Sequence, residues 1–195
     1  MKQYLKSKKS QGGWSMVDAM AVIGLSGLIV AGILGAKTLA TDSNQGQNLG
    51  TTVSDMASKI QKNYTLRGSY DTLTSTAAFG NGLVNSPLVW VSSSSKIQDP
   101  WGNVMAISGN AVGAAATFGI TIGGATSPLS KANCTDIATQ LASGADIINV
   151  GAAATVANGL VSGGTSYKAA GTVPDPAALG TACSVASPVI AVQWH

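Results

Sequence analysis

The fold is decided by one stretch near the start of the chain, Gly12-Gly13-Trp14-Ser15-Met16-Val17-Asp18, and by the apolar run that follows it. Residues 19–36 carry no charge, and four lysines precede the glycine pair, at positions 2, 6, 8 and 9. Eighteen helical residues span about 27 Å, close to the ~30 Å hydrocarbon core of a membrane. Because positively charged flanks stay in the cytoplasm, the sequence predicts a transmembrane helix with a cytoplasmic N-terminus.

Two interpretations of this segment remain open. An ordinary secretory signal would be cut after its apolar region, and small residues near Ala36 offer such a site. The other interpretation is a cut before the apolar region, which would then stay in the mature chain. Asp18 favours it, because a carboxylate at the edge of an apolar helix needs a partner or headgroup solvation. A cut after Gly13 would supply that partner, since it frees an α-amine on Trp14 only four residues before Asp18.

These N-terminal residues resemble those of type IV pilins. That family has a basic leader ending in Gly, a cut made by a prepilin peptidase, an N-methylated first mature residue and a carboxylate at the fifth mature position. Counting Trp14 as the first mature residue places Asp18 fifth. This chain departs from the family in carrying Asp rather than Glu there, and Trp rather than Phe or Met at the first position. The resemblance implies processing at Gly13–Trp14, methylation of Trp14, and pairing of Asp18 with the amine of a neighbouring subunit.

Composition fits one domain plus a membrane segment. The 195 residues carry a net charge of +3, and all 8 acids are Asp. Loss of the four leader lysines would turn that charge into −1, which leaves no case for nucleic-acid binding. The two cysteines, Cys134 and Cys183, favour a disulfide in an exported chain, with two separate buried thiols as the alternative. With His195 as the lone histidine, neither a zinc site nor His-based catalysis is expected.

Small residues recur at spacing four in the apolar run, at Gly27, Ala31 and Gly35. Such a stripe lets helices approach closely, although glycine is also simply frequent in membrane helices.

Residues 37–50 are polar and glycine-containing, and are expected to be frayed or broken helix. Helical periodicity then resumes over residues 49–64, at Leu49, Val53, Met56, Ile60 and Tyr64, with Lys59 and Lys62 off that stripe. Residues 67–70 are expected to end this amphipathic helix.

The rest of the chain alternates between short strands and turns. Residues 71–87 show little pattern and are expected to be a loop, and residues 99–103 a turn. Strands are predicted over 88–91, 104–107, 116–122, 147–150 and 189–192, and the third should place Ala116, Phe118, Ile120 and Ile122 on one face. A helix is predicted from Pro128 to Ala142, with Ser127 as N-cap, and residues 151–171 are expected to be loops.

The fold class that follows is α+β. The resemblance implies a type IV pilin fold, in which a long N-terminal helix with a protruding apolar half packs on an antiparallel sheet. It also implies a disulfide that ties a helix carrying Cys134 to the segment around Cys183. The predicted organisation is a cleaved leader (1–13), an apolar transmembrane and fibre-core helix (14–36), an amphipathic half-helix (37–70) and a globular head (71–195). The head favours the type IVb class of major pilins, which includes those of conjugative thin pili.

Three functional hypotheses follow. The first is a major pilin that is inserted in the bacterial inner membrane and then exported into an extracellular pilus for adhesion, aggregation or conjugative mating contact. Its implied partners are copies of itself in a helical fibre, the prepilin peptidase and the inner-membrane assembly machinery, with no cofactor and no enzymatic activity. The second is a minor pilin or a secretion-system pseudopilin. The third is a membrane-tethered or secreted binding domain or enzyme, for which the sequence shows no nucleophile–base pair and no metal cluster.

Overall fold

The computed structural model describes residues 44–64, 66–110 and 116–195. Helix α1 occupies residues 44–64 of the described part, and the later helices are α2 (Ser75–Gly80), α3 (Lys131–Leu141) and α4 (Pro176–Ala182). The strands in chain order are β1 (Val89–Val91), β2 (Lys96–Gln98), β3 (Val104–Met105), β4 (Ile107–Gly109), β5 (Phe118–Gly123), β6 (Ile147–Gly151), β7 (Thr155–Ala157), β8 (Leu160–Ser162), β9 (Thr165–Lys168) and β10 (Val189–Trp194). Every strand pairing among the described residues is antiparallel, so the α+β prediction is confirmed.

Helix α1 buries the stripe that its periodicity predicts. Its apolar side chains at spacings of three and four belong to the main hydrophobic core: Leu49, Val53, Met56, Ile60 and Tyr64. Lys59 and Lys62 lie on the exposed side. The segment expected to end the helix does so, because the N–H groups of Arg67 and Gly68 both donate to the Tyr64 carbonyl, at 2.9 and 3.2 Å. Gly68 takes a left-handed φ of 66°, which glycine adopts at little cost.

The expectation of a frayed or broken helix before residue 50 is wrong for the described residues, since 44–50 are regular α-helix. The reason is a close approach between α1 and α3. A Cβ on Gly46 would lie 3.0 Å from Asn133 Oδ1, and one on Gly50 would lie 2.9 Å from Gln140 Cβ. The two glycines therefore weaken the isolated helix but allow close packing of α1 on α3, and packing outweighs intrinsic propensity.

The main sheet has five strands in the order β4-β5-β10-β6-β9. Strand β10 runs the length of β5, from the Val189–Gly123 pair to the Trp194–Phe118 pair. Residues Phe118, Ile120 and Ile122 alternate into the main core as predicted, with Ala116 packed against it. Strand β5 is nevertheless buried on both faces. Its other face is covered, because Gly119 lies directly against Val156 of β7.

Strands β7 and β8 form the cover of that second face. Residues 151–171 were expected to be loops, and this prediction is wrong, since β7, β8 and β9 all lie within them. Asn158 and Gly159 make the β7–β8 turn with left-handed φ values of 49° and 71°, the combination that a two-residue hairpin requires. The hairpin is bonded to the main sheet, because the Val161 N–H donates to Gln193 Oε1 at 3.1 Å and Thr117 Oγ1 donates to the Gly159 carbonyl at 3.1 Å.

A separate sheet, in the order β1-β2-β3, contains the predicted 88–91 strand. The single strand predicted over residues 104–107 is wrong in one respect, because the chain changes sheets within it. Val104 and Met105 pair with β2, whereas Ile107 begins β4 of the main sheet. Ala106 is the crossing point, held by its N–H bond to Thr121 Oγ1 at 2.9 Å. The loop expected over 71–87 contains helix α2, which is capped by Thr74.

Helix α3 begins later than predicted, at Lys131, and its N-cap is Ser130 rather than Ser127. Ser127 is engaged elsewhere. Its N–H donates to Asn103 Oδ1 at 3.0 Å, and its carbonyl accepts from Asn103 Nδ2 at 2.8 Å. The backbone of Ser127 is therefore held by the 99–103 turn, and the chain reaches its helical conformation three residues later.

Candidate functional site

Most of the residues predicted to carry function lie outside the described part of the chain. These are the processing residues Gly13 and Trp14, the predicted pairing residue Asp18, and the small-residue stripe Gly27, Ala31 and Gly35. The predicted transmembrane helix over 14–36 lies outside it as well. None of the helices in the described ranges combines the length and the apolar character that a membrane span requires. The structure therefore bears on the head and on α1.

The Cys134–Cys183 disulfide, expected as part of the fold, is present. Its S–S distance is 2.02 Å, its Cα–Cα distance is 5.7 Å, and 49 residues separate the two cysteines along the chain. Cys134 lies in the first half of α3, Cys183 is the C-cap of α4, and both are buried. The bond therefore joins two helices that pack on the same side of the main sheet. In the chain-entropy model a loop of this length contributes about 4 kcal/mol of stability.

Helix α4 was missed by the sequence analysis, although a start signal is present. Asp175 is its N-cap and Pro176 its first residue, and Asp175 Oδ1 accepts from the N–H groups of Ala177 and Ala178 at 2.9 and 3.2 Å. This is the usual combination of an acidic cap followed by proline. The helix has only 7 residues, too few for helical periodicity to be visible.

Lys168 joins β9 to the end of α3. Its Nζ donates to the carbonyls of Ala142 and Ala145, at 2.7 and 2.5 Å. Ala142 is the C-cap of α3, so its carbonyl has no partner inside the helix, and a cation is favoured there by the helix dipole. Ala145 lies in the turn that follows. Nothing in the sequence marks this role, because Lys168 lies 23 residues beyond Ala145 and the two meet only through the pairing of β6 with β9.

The side of α1 that faces away from the core is uniformly polar. Its exposed side chains are Asn44, Gln45, Gln47, Asn48, Thr51, Asp55, Ser58, Lys59, Lys62 and Asn63. The other side is anchored in the head by contacts between aromatic rings. The ring centroid of Tyr70 lies 5.6 Å from that of Tyr64 and 4.9 Å from that of Phe118. The arrangement fixes one helix face in the head and leaves the opposite face to water or to a polar partner.

One apolar surface of the head is exposed, on the three-stranded sheet. Val89 and Val104 are 52% and 42% exposed and lie on either side of Gln98 in the strand register. Beside this sheet, the 45% exposed Phe79 of α2 stacks on Trp90, with a centroid distance of 4.4 Å and an interplanar angle of 4°. Trp90 follows Val89 in β1, so the aromatic pair lies on the opposite face of the sheet from the two valines.

Two acidic groups have notable surroundings. Asp99 is buried in the 99–103 turn, and burial raises the pKa of its carboxyl above the usual value. The N–H groups of Trp101 and Asn103 and the amide of Asn103 donate to it, which partly opposes that rise. Asp146 pairs with His195 Nδ1 at 2.7 Å near the end of β10. Within the described ranges, no group of three or more His, Cys, Asp or Glu residues could hold a metal ion.

Comparison with known proteins gives a likeness among solved structures. No family model matches the chain, and no curated protein matches it. Among solved structures, the chain is similar to the crystal structure of TcpA, a type IV pilin from Vibrio cholerae El Tor biotype. The two are 20% identical, with a TM-score of 0.47, and the alignment covers 80% of this chain and 99% of that one.

Proposed function

We propose that the chain is the structural subunit of a bacterial type IV pilus, a major pilin of the type IVb class. The observation that carries the proposal is the helix over residues 44–64, which buries one face in an antiparallel, disulfide-tied head and keeps the other face polar. That helix follows, in the same chain, the sequence signature of a Gly13–Trp14 cut site, Asp18 and the charge-free run. A head built on the second half of such a helix suits a subunit that polymerises through the first half.

In the proposed route the precursor is inserted in the inner membrane with its lysines in the cytoplasm. A prepilin peptidase cuts between Gly13 and Trp14, and the new amine of Trp14 is methylated. The mature subunit retains the apolar segment over residues 14–36 as its anchor. The inner-membrane assembly machinery then passes the subunit to the base of the growing fibre.

Within the fibre the Asp18 carboxylate pairs with the Trp14 amine of a neighbouring copy. Removing one partner of a desolvated ion pair costs ~3–5 kcal/mol, because the other charge stays buried. Gly27, Ala31 and Gly35 form the stripe along which apolar helices approach one another. The heads face outward and carry the contacts for adhesion, aggregation or conjugative mating.

The proposal is tested by following processing and assembly of Asp18 variants. Asp18→Ala is expected to be cut after Gly13 yet to yield no surface fibres, whereas Asp18→Glu, which keeps the charge, should assemble. Asp42→Ala is the matched control, because it also removes one acid but lies beyond the apolar run. The readouts are the mass of the cell-associated chain and electron microscopy of sheared fibres. Normal fibres from Asp18→Ala would rule out the pairing, and a wild-type chain absent from sheared fibres would rule out the pilin.

A further inference from the structure

A polar cavity lies where α1 ends. It has a volume of about 310 Å³ and is lined by Asn63, Tyr64, Arg67 and Asn81. Three of these residues come from the last turn of α1 and the turn that follows, and Asn81 is the C-cap of α2. Two distant parts of the chain therefore bring one guanidinium and two side-chain amides together. Ligand cavities in proteins begin at about this volume, so the cavity suits a small molecule or one unit of a larger one.

Arg67 is held in place but keeps most of its hydrogen-bonding capacity. Its guanidinium carbon lies 5.7 Å from the centroid of the Tyr64 ring, and Nη1 donates to Thr72 Oγ1 at 3.1 Å. Within the described part of the chain no carboxylate lies within ion-pair distance of Arg67. A guanidinium has five N–H donors in a fixed plane, which match the two oxygens of a carboxylate.

The two amides complete a set of groups suited to hydroxyls. The side chains of Asn63 and Asn81 are exposed and make no hydrogen bond with the described residues. Each offers both a donor and an acceptor, as a hydroxyl group does. Lys59 lies four residues before Asn63 in α1, so it adds positive charge on the same face of that helix.

We propose that this cavity binds an acidic sugar, with the sugar carboxylate on the Arg67 guanidinium and the ring hydroxyls on the Asn63 and Asn81 amides. Tyr64 also lines the cavity, and its ring lies against the Arg67 guanidinium. The proposal rests on the cavity alone, and it holds whether or not the chain assembles into a fibre. In a surface-exposed protein such a site would recognise uronic-acid or similar units of a glycan.

The test uses the full-length protein in a non-ionic detergent and follows the side-chain N–H resonances of arginine and asparagine by NMR during titration. The probes are glucuronate, acetate and glucose. Glucuronate should bind most tightly, because acetate lacks the hydroxyls and glucose lacks the carboxylate. Arg67→Gln should weaken glucuronate binding roughly tenfold, the loss expected for a charged hydrogen-bonded group. The double variant Asn63→Ala, Asn81→Ala should remove the preference for glucuronate over acetate.

Lys131→Gln is the control for charge, because it removes one exposed cation from α3, outside the residues that line the cavity. It should bind glucuronate as the wild type does. The proposal is overturned if Arg67→Gln binds glucuronate unchanged, or if Lys131→Gln weakens binding as much as Arg67→Gln, which would indicate general charge attraction. Equal binding of glucose and glucuronate would also overturn it.

Discussion

Two helical glycines with opposite surroundings provide a sharp test of how α1 is held in the head. A Cβ on Gly50 would lie 2.9 Å from Gln140 Cβ, 3.3 Å from Gln140 Cγ and 3.7 Å from Ile137 Cα of α3. Those atoms are backbone or close to it and cannot move aside as a side-chain tip would. Gly180, within α4, would meet nothing within 4 Å. The same substitution by alanine therefore has opposite expected effects at the two positions.

Replacing glycine by alanine inside a helix gains about 1 kcal/mol of intrinsic helix stability. At Gly180 this gain should appear in full. At Gly50 it is opposed by an overpacking cost of about 1–3 kcal/mol, which gives a net loss of about 1 kcal/mol. For a domain of this size the two effects correspond to a fall of roughly 2–4 °C in Tm for Gly50→Ala and a rise of similar size for Gly180→Ala.

The assay is thermal unfolding of the oxidised full-length protein in a mild detergent, followed by near-ultraviolet circular dichroism. The buried Trp194, which stacks on Phe118, should report on the core of the head. If Gly50→Ala raises Tm as Gly180→Ala does, then α1 does not approach α3 closely, and the packing described here is wrong. If Tm falls equally for both variants, a Cβ at Gly180 must meet neighbouring atoms, which would contradict the open surroundings described for that residue.

Three further predictions concern the stability of the head. Lys168→Met should lower the free energy of unfolding by about 1.5–3 kcal/mol, because it removes a charged donor from the carbonyls of Ala142 and Ala145. Denaturant midpoints measure the loss, with Lys168→Arg as the control that keeps the charge. Asp99→Asn should destabilise by about 1–3 kcal/mol at pH 7, since its new amide would face that of Asn103. Burial raises the pKa of Asp99 above its usual 3.8, so the folded state favours the protonated carboxyl. The stability that this protonated form adds to the fold is complete below pH 3.8 and is lost as the pH rises through the raised pKa. Stability of Asp99→Asn should therefore depend less on pH in that range, and an unchanged pH profile would contradict the assignment. Replacing Cys134 and Cys183 together by Ser should cost about 4 kcal/mol, and a Tm equal to that of the wild type would show that the bond contributes nothing.

Features with a local cause could be predicted from the sequence. The stripe from Leu49 to Tyr64 and the alternation from Phe118 to Ile122 are periodic, and each buries the face that the period selects. The turn at residues 99–103 was predicted correctly as well. Its Asp-Pro and Gly-Asn pairs favour turns through their own backbone preferences.

Features that depend on distant contacts could not be predicted. Helix over residues 44–50 depends on α3, which lies more than 80 residues away, and propensity alone favours a break. The N-cap of α3 moves from Ser127 to Ser130 because Asn103 takes the backbone of Ser127. The cavity of Asn63, Arg67 and Asn81 exists only because the C-cap of α2 comes close to the end of α1.

The β7–β8 hairpin does have a local signal in the sequence. Asn158-Gly159 stands between Thr155–Ala157 and Leu160–Ser162, and Asn-Gly between two strands is the strongest short-range indication of a hairpin. The flanking strands are only three residues each and rich in small side chains, so their alternation is faint. Their stability comes from the main sheet beneath them, through Gln193 and Thr117.

The most direct test of the central claim is the intact mass and N-terminal sequence of the protein sheared from the surface of cells. A pilin predicts a chain that begins at a methylated Trp14 and whose mass is two hydrogens below that of its reduced form, for the Cys134–Cys183 bond. Its abundance in the sheared fraction then separates a major subunit from a minor one. A chain that begins near residue 37 would contradict the account, because the apolar segment would then be a discarded signal peptide and could not form the core of a fibre.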